Sequence, residues 1–210
     1  MGIFYLKEVN STQIYLKDYI KKNGYKKPLL VYTHKQTNGI GSRNNIWIGV
    51  EGNLFFSYVI DIKSLPKDLP IQSASIYFSF ILKEILEKNN SNIWLKWPND
   101  FYINNKKIGG TITNVSNNLL FCGIGLNLKY VQEDFGFLDI EFQNIFLEQF
   151  FNRVLEKITW KQIFSKFLIE FEKSKNMKTT IDNNKILLDS ALLNYDGSIS
   201  INSKKVYSLR

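Results

Sequence analysis

Between residues 93 and 128 short apolar runs alternate with turn-forming residues, and this rhythm constrains the fold more than any other feature of the chain. NIWLKW reads as a strand that stops at Pro98, a residue unable to donate to a ladder. FYI and KKI flank Asn104-Asn105, a pair that tolerates positive φ, while TITNV and LLFCGIGLNL flank Ser116 to Asn118. These pieces predict an antiparallel meander. Upstream, Ile71, Ala74, Tyr77, Phe78, Ile81, Leu82 and Ile85 recur at helical spacing and predict a helix with one buried face, ending near Asn89-Asn90. FYLKEVNST reads as a short strand leading into a helix marked by Tyr15, Leu16, Tyr19 and Ile20, capped by Asn10 or Ser11 and ended by Gly24. Residues 28–33 and NLFFSYVID are further strands, and the long polar, glycine-bearing stretch between them suggests function. Residues 143–175 read as two helices broken near Thr159, with Phe146, Leu147, Phe150, Phe151, Val154 and Ile158 on one face of the first. Beyond Asn176 the chain becomes short strand-and-turn units. The expected class is α+β, a mixed, largely antiparallel sheet packed with helices, divided into a large domain over 1–176 and a small C-terminal β module over 177–210.

At 210 residues, with 44% hydrophobic and 22% charged side chains, the chain is long enough for one substantial core. Its formal charge of +8 suits a polyanionic partner such as nucleic acid, a phosphate-bearing ligand or an acidic protein. Lysines are nevertheless dispersed, as at Lys21-Lys22, Lys26-Lys27, Lys106-Lys107 and Lys204-Lys205, so general lysine enrichment explains the charge as well. Cys122 is the sole cysteine and His34 the sole histidine, which excludes an intramolecular disulfide, a thiolate cluster and a His-rich metal site. A reducing, cytoplasmic setting fits. MGIFYLKEVN lacks an apolar signal core, and no apolar run approaches the roughly 20 residues that span a bilayer, so neither secretion nor membrane insertion is expected.

Glycines 39 and 41 alone indicate a turn. The wider run QTNGIGSRNNIW adds a polar Gln36, a hydroxyl on Ser42 and a cation on Arg43, and together these make a plausible anion cradle. KWPNDFYINNKKIGG, from Lys96 to Gly110, has the local shape of a strand end with Trp97 in the core and a turn at Asn99 and Asp100. That shape leaves Lys107 followed by Ile-Gly-Gly unexplained.

The combination resembles the biotin protein ligase family, whose central signature is a KWPND-type strand end followed by a hairpin lysine and small residues. VNSTQIYLKDYI is similar to the family's Ser-Thr helix start, QTNGIGSRNNIW to its glycine-rich loop and CGIGLNL to its GxGxN strand. All four stand in the family's order over roughly residues 4 to 128. The tail ending in VYSLR is weakly similar to the family's C-terminal β module. The resemblance implies a class II synthetase-like catalytic fold that activates biotin with ATP to biotinyl-5'-AMP and transfers it to a lysine of a biotin carboxyl carrier protein. It assigns Ser11, Thr12, Gln13 and Gln36 to biotin, with Gly123 and Gly125 giving the ring space. Lys107 would meet the biotin carboxylate and α-phosphate, and with Arg43 it forms the expected catalytic pair. Gly39, Ile40, Gly41, Ser42 and Arg43 would close over the adenylate, Trp47 would anchor that loop, and Lys96, Asn99, Asp100 and Asn127 would serve the nucleotide side.

The chemistry asks for such groups. A carboxylate approaching the α-phosphorus of ATP brings anions together, so cations must offset repulsion, with Mg²⁺ carried by the phosphates and no metal site built from protein ligands. The mixed anhydride is reactive toward water, which favours a loop folding over it. Many family members carry several arginines in that loop; Ile40 and Ser42 stand in their place, leaving Arg43 as its only cation. Some relatives carry an N-terminal helix-turn-helix, whereas here the catalytic pattern begins almost at Met1, so no sequence-specific DNA binding is expected. A monomer or weak homodimer is expected. Two alternatives stand beside this reading: a ligase for lipoate or another carboxylate, and a basic, aromatic-rich module that grips single-stranded nucleic acid.

Overall fold

In the computed structural model, which describes residues 2–41, 46–47 and 50–207, the expected hairpins form. In chain order the first half contains β1 (Ile3–Tyr5), α1 (Thr12–Asn23), β2 (Leu29–Thr33), β3 (Gly39–Ile40), β4 (Ile46–Trp47), β5 (Leu54–Asp61) and α2 (Ala74–Lys88). The meander follows as β6 (Trp94–Lys96), β7 (Asp100–Ile103), β8 (Lys106–Ser116) and β9 (Leu119–Leu126). Then come α3 (Ile145–Leu155), α4 (Trp160–Ser174) and five short strands, β10 (Lys178–Ile181), β11 (Asn184–Leu187), β12 (Leu192–Leu193), β13 (Ile199–Ile201) and β14 (Lys204–Val206).

The main sheet has seven strands in the order β1-β2-β5-β9-β8-β7-β6. Only β1 and β2 run parallel; every other neighbouring pair in it is antiparallel. The turns are made by asparagines in the left-handed region, Asn104 with φ 51° and Asn117 and Asn118 with φ 49° and 62°. A short polar side chain that bonds locally tolerates this conformation.

Strand alternation divides the sheet into two faces. Leu54, Phe56, Tyr58 and Ile60 of β5 and Leu120, Cys122, Ile124 and Leu126 of β9 point to the face covered by α2, α3 and α4, in the main core. On the opposite face α1 packs Leu16 against Leu29, Val31, Val59, Leu119 and Phe121, forming a smaller core. Ser11 caps α1, its hydroxyl accepting from Ile14 N, and Gly24 ends it at φ 71°.

The helix expected from Ile71 onward differs in two respects. Ile71 lies in a 3-10 turn and is exposed, and the helix proper begins at Ala74. Residues 74–86 are all buried, because the sheet lies on one side of α2 while α3 and α4 lie on the others. A helix enclosed on every side has no single apolar stripe to keep. β10 to β14 form two small antiparallel sheets, and Ile181, Leu188, Ala191, Ile199 and Ile201 join the main core. Among the described residues no helix is long and apolar enough to cross a membrane.

Candidate active site

α1 covers only part of its face of the sheet. Beyond it the register aligns Ser57, Gly123 and Ile112 in one cross-strand row and Phe55, Gly125, Gly110 and Asp100 in the next. Three glycines among seven positions leave the surface hollow, and a cleft of about 240 Å³ lies over them.

One wall of the cleft is polar and buried. Thr12 N donates to Gln36 Oε1 at 2.9 Å and Thr12 Oγ1 to the same oxygen at 3.3 Å, while Thr12 Oγ1 and Ser57 Oγ are 2.9 Å apart. With its oxygen thus engaged, Gln36 turns Nε2 toward Gly39, where an added Cβ would fall 2.6 Å from it. Gln13 Oε1 is buried without a hydrogen-bond partner among the described residues and lies 3.1 Å from where a Cβ on Gly123 would stand. A buried acceptor in this state costs free energy until a donor reaches it.

The opposite end carries charge. Lys107 Nζ lies 2.6 Å from Asp100 Oδ1, and Lys96 Nζ lies 4.0 Å from Asp100 Oδ2. Lys107 reaches this face through a β-bulge: Phe101 pairs with Gly109 and Tyr102 with Lys107, so Ile108 has no partner in β7. Without the extra residue, Lys107 and Gly110 would point to opposite faces. The backbone is pinned there as Gly136 N donates to Lys107 O at 2.9 Å. Asn99 donates its amide to Thr111 O and accepts from Thr111 N at 2.9 Å, locking the turn before Asp100 to β8. Burial pushes the Tyr102 phenol beside them up to about 12, with the Asp100 carboxylate adding to the shift.

Of the residues singled out in the sequence, Ser11, Thr12, Gln13, Gln36, Ile40, Gly41, Trp47, Asn99, Asp100, Lys107, Gly123, Gly125 and Asn127 line the cleft. Gly39 stands behind it, paired with Trp47 across the β3–β4 hairpin, and Lys96 stacks on Tyr102 with its nitrogen 5.5 Å from the ring centre. Ser42 and Arg43 lie outside the described residues. The space in front of Gly125 is taken by the Trp47 indole, whose Cε2 would lie 2.8 Å from an added Cβ, and Lys107 Nζ sits 6.0 Å from the centroid of that indole. Asn127 is engaged by the protein itself, donating to Gly136 O at 3.1 Å and accepting from Asn53 Nδ2 at 3.5 Å.

Sequence reasoning missed Ser57, although it is the one small polar residue inside the apolar run LFFSYVI, a signal that could have found it. Val131 and Phe135, which close the cleft from the loop after β9, carried no signal. Cys122 is fully buried and burial pushes its thiol up, so it offers no thiolate. Among the described residues no three His, Cys, Asp or Glu side chains are grouped to hold a metal ion.

The arrangement suits an elongated ligand with hydrogen-bonding groups at one end and an anion at the other. The Helicobacter pylori biotin acetyl coenzyme A carboxylase synthetase, solved with bound biotinylated ATP, is similar to this chain at 37% identity and a TM-score of 0.92, over 99% of this chain and 100% of that one. The Aquifex aeolicus biotin protein ligase solved with biotin and ATP shares the fold, with a TM-score of 0.73 at 23% identity over 100% of this chain and 96% of that one. In sequence, the bifunctional ligase/repressor BirA of Bacillus spizizenii is 27% identical over 138 residues, 63% of this chain and 42% of its own length. The chain thus spans less than half the length of the curated relatives it matches. The model of the Biotin/lipoate A/B protein ligase family matches residues 5–127, from the strand before α1 to the asparagine that follows β9, and the chain belongs to that family.

Proposed function

We propose that the protein activates biotin with ATP, forming biotinyl-5'-AMP and pyrophosphate, and transfers the biotinyl group to a lysine of a biotin carboxyl carrier protein. The observation that carries this reading is the buried, unpartnered Gln13 Oε1 on a polar wall, with Lys107 at the far end of the same cleft. A cyclic urea brings N–H donors to that oxygen. A dithiolane or an alkyl chain brings none and leaves it unsatisfied at about 1–3 kcal/mol, enough to discriminate between acids. Full-length similarity to the H. pylori synthetase supports the same substrates.

In the first step an oxygen of the biotin carboxylate forms a bond to the α-phosphorus as the bond to pyrophosphate breaks. Lys107 is the group we assign to the two converging anions, since it is the one cation among the described residues lining the cleft. Asp100 holds its ammonium from behind at 2.6 Å and keeps it directed across the cleft. Asn99 orders the turn that carries Asp100, and Arg43 adds charge from the glycine-rich loop with Gly39, Ile40, Gly41, Ser42 and Trp47 around the adenylate. Mg²⁺ supplies charge neutralisation on the phosphates, a fit for a cleft whose one described carboxylate already faces a lysine. In the second step the carrier's neutral amine attacks the acyl carbon and AMP leaves. We assign residues 1–176 to catalysis and 177–210 to a small β module, place the protein in the cytoplasm as a monomer or weak homodimer, and assign it no specific DNA site.

Pyrophosphate exchange into ATP tests the acid and the half-reaction together. Biotin should support exchange well above background, and lipoate and octanoate should not. Exchange with lipoate alone would turn the reading to the other branch of the family, and exchange with no acid together with salt-sensitive binding of single-stranded nucleic acid would favour a binding module.

A further inference from the structure

The C-terminal strands reach the cleft through one tryptophan. Trp97 is fully buried and immediately precedes Pro98, Asn99 and Asp100. Its backbone N donates to Ser174 Oγ of α4 at 3.0 Å, and its indole Nε1 donates to Gly197 O at 2.9 Å. Gly197 ends a turn between β12 and β13 whose three successive carbonyls are all held by the core. Tyr195 O accepts from Trp160 Nε1 at 2.6 Å, Asp196 O from Ser73 Oγ at 2.5 Å, and Gly197 O from Trp97. The turn is closed by Gly197 N donating to Asn194 O at 2.8 Å, and Gly197 adopts φ 79° with Ser73 where a side chain would stand. Donors from α4, from the start of α2 and from the turn beside the cleft converge on Tyr195–Gly197.

We propose that the Tyr195–Gly197 turn is a positioning element for the charged end of the cleft, acting through Trp97 on Asp100 and so on Lys107. The path is covalent and short: Trp97 fixes Pro98, Asn99 is locked to Thr111, and Asp100 holds Lys107 at 2.6 Å. The polar wall of Thr12, Gln13, Gln36 and Ser57 hangs from α1, β5 and the segment after β2, and shares none of these bonds. Loosening the turn therefore disturbs adenylation and leaves recognition of the acid intact, a consequence that rests on the function proposed above, whereas the effect on Lys107 itself does not.

The test uses full-length Ser73→Ala, which removes one clasp bond from a small side chain, and Trp97→Phe, which keeps a ring and removes the donor. Lysine acylation followed by mass spectrometry reads Lys107 directly, with Lys35, which pairs with Glu8 and Glu51 and shares none of the clasp bonds, as the control. We expect Lys107 labelling in folded variants to rise about threefold with Lys35 unchanged, kcat of biotin-dependent exchange to fall about fivefold, and the biotin Kd to stay within about twofold. Unchanged Lys107 labelling in Ser73→Ala, or an equal rise at Lys35, overturns the proposal, and if Trp97→Phe fails to fold Ser73→Ala decides alone. Raised labelling with unaltered kcat would uphold the clasp and instead remove Lys107 from the chemistry.

Discussion

Lys107 owes its place in the cleft to its neighbour. Ile108 is skipped in the pairing with β7, and that extra residue turns Lys107 to the face of Gly110 and Asp100. Two residues at opposite ends of the cleft should then respond differently to substitution. Lys107→Ala should lower the rate of adenylation about tenfold or more while the biotin Kd changes little, since a charge-assisted contact to the reacting anions is worth about 1.5–3 kcal/mol. Gln13→Leu should weaken biotin binding about tenfold by removing the acceptor, and should narrow the preference for biotin over lipoate. Calorimetry of the acid and single-turnover adenylation separate the two. A Gln13→Leu protein binding biotin like the wild type would show that the ring finds its partners elsewhere. The residue types of the site were legible, because Ser-Thr-Gln, KWPND and KIGG are polar groups set at strand and helix ends. Ser57 was not, since one hydroxyl in an apolar strand becomes a site residue only when pairing sets it beside Gly123 and opposite Thr12.

Local signals located the elements well where caps and turns are encoded by neighbours. Thr159 begins α4 with a capping box, its hydroxyl accepting from Gln162 N at 3.3 Å and Gln162 Oε1 accepting from Thr159 N at 3.1 Å. The same helix end has a second cap that no window of sequence contains. Asp68 accepts from Trp160 N at 3.1 Å and from Lys161 N at 3.0 Å across more than ninety residues. An acidic group at a helix N-terminus satisfies orphan donors and meets the positive end of the dipole. We expect Thr159→Ala and Asp68→Ala each to cost about 1 kcal/mol in urea unfolding, and the double variant to cost more than the sum, because in each single variant the remaining cap retains part of the first turn. Full additivity would mean that the two caps act independently. Ile71 shows the reverse limit: it keeps helical spacing with Ala74 and Phe78 yet sits exposed in the preceding 3-10 turn.

At the scale of the whole molecule, Glu170 ties α4 to α2 and to the sheet. Its Oε1 accepts from Leu95 N at 3.2 Å and its Oε2 lies 3.4 Å from Lys83 Nζ. Burial pushes its carboxyl above the ordinary 4.5, and the attraction of Lys83 offsets only part of that. A carboxyl with a raised folded pKa holds its proton more tightly in the native state, so its contribution to stability is fully present below about pH 4.5 and is lost as pH rises through the folded value. Glu170→Gln should therefore match or exceed the wild-type Tm at pH 7.5, with the advantage shrinking toward pH 4.5. A Tm several degrees lower at pH 7.5 would show that the pair with Lys83 outweighs burial. The sequence by itself determined the meander, its asparagine turns, the helix caps written by adjacent residues and the family, because each depends on side chains close together in the chain. Tertiary structure alone decided the register that lines up Ser57 with Gly123 and Gly125 with Gly110, the bulge that aims Lys107, and the clasp of Trp97 on Gly197. Those depend on contacts between residues 5 to 100 positions apart, where shape and hydrogen-bond geometry choose among pairings that local preference leaves equal.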